Sequence, residues 1–232
     1  MVSRRTFIKG VVGAAAAAGA GATGLVAAES LFPYPKPGIK LSEGTFIYTA
    51  DDRAKAVNAW YLDRVGKEAK VEDFDAAGKG AAVTWNGFPA ILIRLDRGRF
   101  LNLQGLTAAT NSEGKTFPLV AGTPGIVDDI IGLLAKCPHA CCAPNWRISK
   151  PEVEWLLWCI CHDSRYDPHA LVTDRSPTGV QYRCAMFQGG PAKRGLPQIP
   201  LRKEADGKLV GIPSNVEWYQ YCGLNLEVPR KE

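Results

Sequence analysis

Apolar residues in this chain fall mostly into short runs and alternations, and sustained helical periodicity is scarce. Thr45-Phe46-Ile47-Tyr48 has the β-branched and aromatic content of a short strand. From Val83 to Arg94 the pattern reads strand, Asn86-Gly87 turn, strand, because an Asn-Gly pair tolerates the left-handed conformations of a two-residue hairpin turn. Asp51 to Val71 is the best helical candidate, on irregular apolar spacing, and Ile126 to Leu134 predicts a short helix ahead of a cysteine loop. Leu31 to Gly38 places three prolines in eight residues and predicts a stiff, extended connector. Trp155, Trp158, Trp218, Tyr219 and Tyr221 are expected in the core, and His169 at the surface or in a turn. No internal repeat is apparent.

Composition supports the β reading. Gly (24) and Pro (16) are plentiful among 232 residues, which suits a loop-rich all-β fold better than a helical bundle. The net charge of +5 owes three charges to Arg4, Arg5 and Lys9. The remainder carries no basic block, which argues against a nucleic-acid partner.

The N-terminus carries an address. Ser3-Arg4-Arg5-Thr6-Phe7-Ile8-Lys9 resembles the twin-arginine export signal, and Gly10 to Ala28 follows as 19 uncharged residues. As a helix rising ~1.5 Å per residue, this segment with Phe7 and Ile8 reaches about one hydrocarbon thickness, ~30 Å. Val26-Ala27-Ala28 also suits a cleavage site, so the segment reads as either a signal peptide or a retained transmembrane anchor. Both place the following domain outside the cytoplasmic membrane, in a compartment where disulfides persist.

Seven cysteines and three histidines fall mainly between positions 137 and 184. They form two clusters, Cys137-Pro138-His139-Ala140-Cys141-Cys142 and Cys159-Ile160-Cys161-His162-Asp163-Ser164. Each offers a Cys and a His two or three residues apart plus a further Cys. Zinc sites of Cys₂His₂ type usually pair Cys with Cys and His with His, whereas both loops here are mixed.

The two clusters resemble the Rieske motif pair C-x-H-x-x-C and C-x-C-H-x-S position for position. The resemblance implies a [2Fe-2S] cluster, with Cys137 and Cys159 on one iron and His139 and His162 on the other. It implies a Cys142–Cys161 disulfide clamping the loops. Replacing two thiolates by two neutral imidazoles makes the site less negative and raises its potential, to about −150 to +300 mV in such centres. The outward histidine nitrogens can also release protons, coupling electron transfer to proton transfer.

Further stretches narrow the resemblance to quinol-oxidising, cytochrome bc-type complexes. Trp85 to Arg94 resembles the W-x-G-x-P-x-x-I-R hairpin of that family with one extra residue. His162-Asp163-Ser164-Arg165-Tyr166-Asp167 resembles H-G-S-x-Y-D, in which the serine and tyrosine hydroxyls donate to cluster sulfurs and raise the potential. Gly189 to Leu196 resembles the proline loop that covers the cluster, with Pro191 as its shield. Three positions depart from the pattern: Cys141 and Asp163 stand where glycine is usual, and Lys193 replaces the loop's second proline.

The layout expected is a signal or anchor over residues 1–28 and a tether over 29–43. The Rieske domain of antiparallel sheets follows over 44–232, its cluster-binding part spanning about 131–200. The resemblance implies an electron-transfer subunit with cytochrome b-like and c-like partners, membrane-bound, with quinol touching His139 or His162. Its rival is the small subunit of an arsenite-oxidase-like molybdoenzyme, which more often has Phe at the position of Tyr166. Residues 167–188 read as an insertion. Cys184 and Cys222 are candidates for a second disulfide, leaving Cys141 as the odd thiol.

Overall fold

The computed structural model describes residues 42–50, 59–101, 105–122, 124–147, 155–176 and 179–213. The expected signal or anchor, most of the tether, and Trp218, Tyr219, Tyr221 and Cys222 lie outside these. Among the described residues no helix is long and apolar enough to cross a membrane. The single short α-helix among them is α1 (Arg97–Leu101), and the rest is sheet and turn, so the all-β expectation holds.

The described strands form one nine-stranded antiparallel sheet and two small ones. In spatial order the large sheet runs β2 (Ile47–Tyr48), β3 (Gly80–Trp85), β4 (Phe88–Arg94), β7 (Ile130–Leu134), β12 (Leu196–Ile199), β11 (Gln181–Gly189), β10 (Ser164–Arg175), β9 (Leu156–Cys159) and β8 (Asn145–Arg147). β1 (Gly44–Thr45), β14 (Leu209–Gly211) and β13 (Leu201–Lys203) make a three-stranded sheet, and β5 (Ala108–Thr110) with β6 (Thr116–Pro118) a hairpin.

The hairpin over 83–94 forms as its turn residues dictate. Trp85 pairs with Phe88, and Asn86 (φ 49°) and Gly87 (φ 76°) both take the positive φ of a type I′ turn.

One helix expected from the sequence is not formed, and the described part of a second is not α-helical. Ile130-Ile131-Gly132-Leu133-Leu134 is strand β7, hydrogen-bonded between β4 and β12 and buried throughout. A run that is apolar at every position has neither a helical nor a strand period, so pairing on both edges decides its conformation. Within 51–71, positions 51–58 lie outside the described residues. The remainder holds two 3₁₀ turns, Ala59–Arg64 and Val71–Asp73. Gly66 at φ 83° ends the first. Adjacent Trp60 and Tyr61 both pack around Tyr48, a demand that a single helix face does not meet. Residues 167–188, read as an insertion, lie largely within β10 and β11, which pair in the register Arg165↔Gly189 through Arg175↔Gln181.

The large sheet folds over on itself. Trp146 of edge strand β8 donates its indole N–H to Gly78 O (2.7 Å) and presses on Gly80 of β3, where a Cβ would collide with the ring. One hydrophobic core therefore runs through both halves, from Phe46, Tyr61 and Trp85 to Leu157, Tyr166 and Phe187.

Candidate metal centre

Antiparallel alternation places the site. β7, β9 and β11 run in the same direction, because each pair of them is separated by one antiparallel strand or a chain of such pairs. Their C-terminal ends therefore share one end of the sheet. The loops that leave them are residues 135–144, 160–163 and 190–195, and each carries one of the three motif segments singled out in the sequence.

In the first loop, Cys137 N–H donates to Cys142 O (2.8 Å) and Cys141 N–H to Cys137 O (2.9 Å), coiling the motif around itself. In the second, Ser164 pairs with Cys159 across the β9–β10 hairpin, and Asp163 N–H closes the turn on Cys159 O (2.9 Å). Cys142 and Cys161 form a disulfide between the two loops, Cα atoms 6.5 Å apart. The sulfurs of Cys142, Cys159 and Cys161 lie within 4.8 Å of one another. Two of these are joined to each other, so the trio is no metal cage, and the free sulfurs beside the disulfide are Cys137 and Cys159.

Those two thiols are buried. The Cys159 S–H donates to Cys137, and this contact, with a lesser one from the Tyr166 hydroxyl, draws the Cys137 pKa down to about 6 against its burial. The same contact and burial push the Cys159 pKa up. His139 and His162 stand edge to face at 4.5 Å between ring centres. His139 is half-buried and His162 exposed. Nδ1 of His139 is a buried nitrogen with no hydrogen-bond partner. A buried nitrogen is left bare at a cost of about 1–3 kcal/mol. Two buried thiols, an orphaned imidazole nitrogen and a second imidazole converging at one end of the sheet fit a metal group with mixed sulfur and nitrogen ligation.

The hydroxyls named in the sequence line the same place. Tyr166 Oη is 2.9 Å from Cys137 Sγ, its ring fully buried and packed on Phe187. Ser164, two residues earlier on the same face of β10, is also fully buried, and it is among the groups that help hold the Cys137 pKa down. Its Oγ accepts the backbone N–H of Ala192 in the third loop (3.1 Å). Pro191, next to Ala192, is exposed. Gly190, at φ 104°, lets that loop lie on the second one, since a Cβ there would fall 2.5 Å from Asp163 O.

The three departures from the Rieske pattern share a conformation. Cys141 (φ 60°), Asp163 (φ 62°) and Lys193 (φ 59°) all occupy the left-handed region. That explains glycine at the first two positions elsewhere, and it excludes at the third a proline, whose φ is fixed near −65°. Here Asp163 is tied through its carboxylate to Trp158 Nε1 (2.9 Å) and Arg165 (3.5 Å), and Lys193 to Glu113 (2.8 Å).

The remaining cysteines differ from expectation. Cys184 is a free thiol, wholly buried, its S–H directed at Val172 O and its pKa pushed up by that burial, so it makes no bond to Cys222. Cys141, expected as the odd thiol, is disulfide-bonded. His169 is buried rather than at the surface, its Nε2 accepting Asp96 N–H (3.1 Å) and its Nδ1 facing Asp167 (3.3 Å), both nitrogens occupied within the fold. Trp155 and Trp158 are half-buried, Trp155 stacked beneath Arg99. Sequence reading missed the turn 111–115, whose side chains hold the third loop from outside. Only its Asn-Ser-Glu-Gly composition marked a turn, and nothing local marked its target.

No protein-family model matches the chain, and no curated relative matches it. Among solved structures it is similar to the soluble domain of Rieske protein II from Sulfolobus acidocaldarius, at 20% identity and a TM-score of 0.28. That match covers 54% of this chain and 61% of the other, so the chain spans about three fifths of the structure it matches. The overlap is slight, and what carries the resemblance to Rieske proteins is the motif pair, with its loops gathered at one end of an all-β fold.

Proposed function

We propose that this chain is a Rieske-type electron-transfer subunit that holds one [2Fe-2S] cluster on Cys137, Cys159, His139 and His162. The observation that carries the reading is the convergence of two buried free thiols and two histidines beside the Cys142–Cys161 disulfide. When bound, such a group supplies a one-electron acceptor of about −150 to +300 mV.

The chain's own residues do the rest. Cys137 and Cys159 sit inside and His162 faces solvent, which gives the site a protected sulfur side and an accessible imidazole side. The bare Nδ1 of His139 is the nitrogen suited to metal, which leaves Nε2 to exchange a proton with a substrate hydroxyl. Tyr166 and Ser164 direct hydroxyls at Cys137 and favour extra negative charge there. This supports quinol as the electron donor in a bc-type complex, with cytochrome b-like and c-like partners, over the arsenite-oxidase-like rival. The N-terminal segment and the Cys142–Cys161 disulfide support a membrane-anchored head on the extracytoplasmic side.

The test is metal and sulfide analysis of the purified full chain, with an electron-spin spectrum after reduction and a redox titration. Two irons and two sulfides per chain and a potential near the top of the Rieske range are expected. One zinc per chain and no spin signal would overturn the reading in favour of a structural zinc site.

A further inference from the structure

The turn between β5 and β6 is bonded through its polar groups to the end of β11 and to the loop over the metal site. Asn111 Oδ1 accepts Glu113 N–H (3.1 Å) and Lys115 N–H (2.8 Å), fixing the turn, while its Nδ2 donates to Phe187 O (3.0 Å). The Ser112 hydroxyl donates to Gln188 O. Glu113 takes Gly190 N–H on one carboxylate oxygen (2.9 Å) and the Lys193 ammonium on the other (2.8 Å). Lys115 donates to Lys193 O (3.3 Å). Glu113 thus grips both ends of the segment 190–193, and between those ends lies Ala192, whose N–H is held by Ser164 Oγ.

A hydroxyl has one donor and two acceptor sites. With the Ala192 N–H on one acceptor site, the Ser164 O–H is left to face the Cys137 sulfur and the Tyr166 hydroxyl beside it. If the loop lifts, that constraint goes and the hydroxyl can rotate away. We propose that Glu113 is a positioning residue, which seats the Ala192 N–H on Ser164 and so aims the Ser164 hydroxyl at the cluster sulfur. The proposal rests on the cluster reading above for its redox consequence, and on the fold alone for the seating of the loop.

The sign of the effect separates positioning from bare charge. Removing a negative charge near a redox centre favours its reduced state and raises the potential, whereas losing a hydrogen-bond donor lowers it. Glu113→Ala removes the charge and both contacts, while Glu113→Gln removes the same charge but keeps an acceptor for Gly190 N–H. In the full chain, we expect Glu113→Ala to lower the potential and Glu113→Gln to stay above it. In a Ser164→Ala background the lowering by Glu113→Ala should vanish. Amide hydrogen exchange of Gly190 and Ala192 gives a readout that needs no cluster: Glu113→Ala should exchange both faster, with the amides of β3 and β4 unchanged. Unchanged protection of Ala192 in Glu113→Ala would overturn the proposal whatever metal the chain holds. An equal rise of potential in both variants, or the same shift with and without Ser164, would overturn it as well. A chain without iron that still loses Ala192 protection would remove the cluster reading and leave the seating of the loop standing.

Discussion

Tyr166 concentrates the redox argument in one oxygen atom. Its hydroxyl is 2.9 Å from Cys137 Sγ, and its ring is fully buried, so Tyr166→Phe deletes a donor without changing the packing shape. A hydrogen bond to a charged acceptor contributes ~1.5–3 kcal/mol. If most of this is felt only by the more negative reduced state, the potential falls by about 65–130 mV, at ~59 mV per tenfold for one electron. Some of the bond persists on oxidation, which moves the expected value toward the lower end. A redox titration measures it, and a variant with the parent potential would remove the main support for quinol over arsenite chemistry. At this scale the sequence was most informative where chemistry fixes residue type at short spacing. Cys137, His139, Cys159 and His162 stood out as candidate ligands because metal ligation tolerates few substitutes and each loop carries its own pair. Cys141, Asp163 and Lys193 were legible only as departures from a pattern. Their left-handed φ values, at roughly 1–2 kcal/mol each for a residue with a Cβ, are a property of the folded loops.

Among the elements, the three loops differ in what holds them. The first and second are joined by Cys142–Cys161, 19 positions apart. Closing a loop of that size stabilises a fold by roughly 3 kcal/mol in the chain-entropy account. Replacing both cysteines by serine is therefore expected to lower denaturant stability by about that amount and to speed metal loss to a chelator by more, since both proposed ligand pairs sit on the freed loops. Free thiols at both positions in the purified full chain, found by mass mapping, would sink this account. The third loop is held by shape. Gly190→Ala sets a Cβ 2.5 Å from Asp163 O and 2.7 Å from Ser164 Cα, whereas Gly207→Ala, at φ 86°, meets nothing within 4 Å. Gly207→Ala is expected to cost ~1–2 kcal/mol from its φ alone, while Gly190→Ala should also make the metal labile. Equal lability in the two variants would show that the loop does not lie on the site as described. The Glu113 grip adds a pH dependence. Lys193 first, and then the Gly190 N–H, hold the Glu113 carboxyl below its ordinary range. A depressed acid contributes above its unfolded value and loses that contribution as pH falls through its folded one. The protection of the Ala192 amide, relative to its intrinsic exchange at each pH, should therefore fall on the acid side, and only in the chain that keeps Glu113. None of this was visible in advance, because residue 113 and the loop at 190 are brought together by β5, β6 and β11, not by sequence. The β7 strand was misread for a related reason: its uniform apolarity reports burial but not conformation.

For the molecule as a whole, the topology asks whether the metal-binding part is a module or a continuation of the base. Residues 135–195, with β8 to β11, lie between β7 and β12 in the chain, and these two strands pair with each other, Leu133 opposite Gln198. That connectivity resembles an inserted unit. Packing argues the other way. Trp146 crosses from β8 to seal against Gly80 and bond Gly78 O, His169 of β10 accepts the Asp96 N–H that follows β4, and Leu119 bridges to Val172. A shared core with three such ties should open as one unit rather than two. Native-state hydrogen exchange tests this directly. The slowest amides of β3 and β4 and those of β9 and β10 are expected to report the same opening free energy. Trp146→Ala, which removes a buried aromatic and one indole donor, should cost ~3–5 kcal/mol and reduce protection in both groups by the same amount. If protection falls only across β8 to β11, the cord through Trp146 is weak and the metal-binding part is an independent unit hung from β7 and β12. An equal fall makes the rigidity of the loops over the thiols a property of the whole core. A substitution as remote as Gly80→Ala, which forces the Trp146 ring away, would then loosen the metal without touching a ligand.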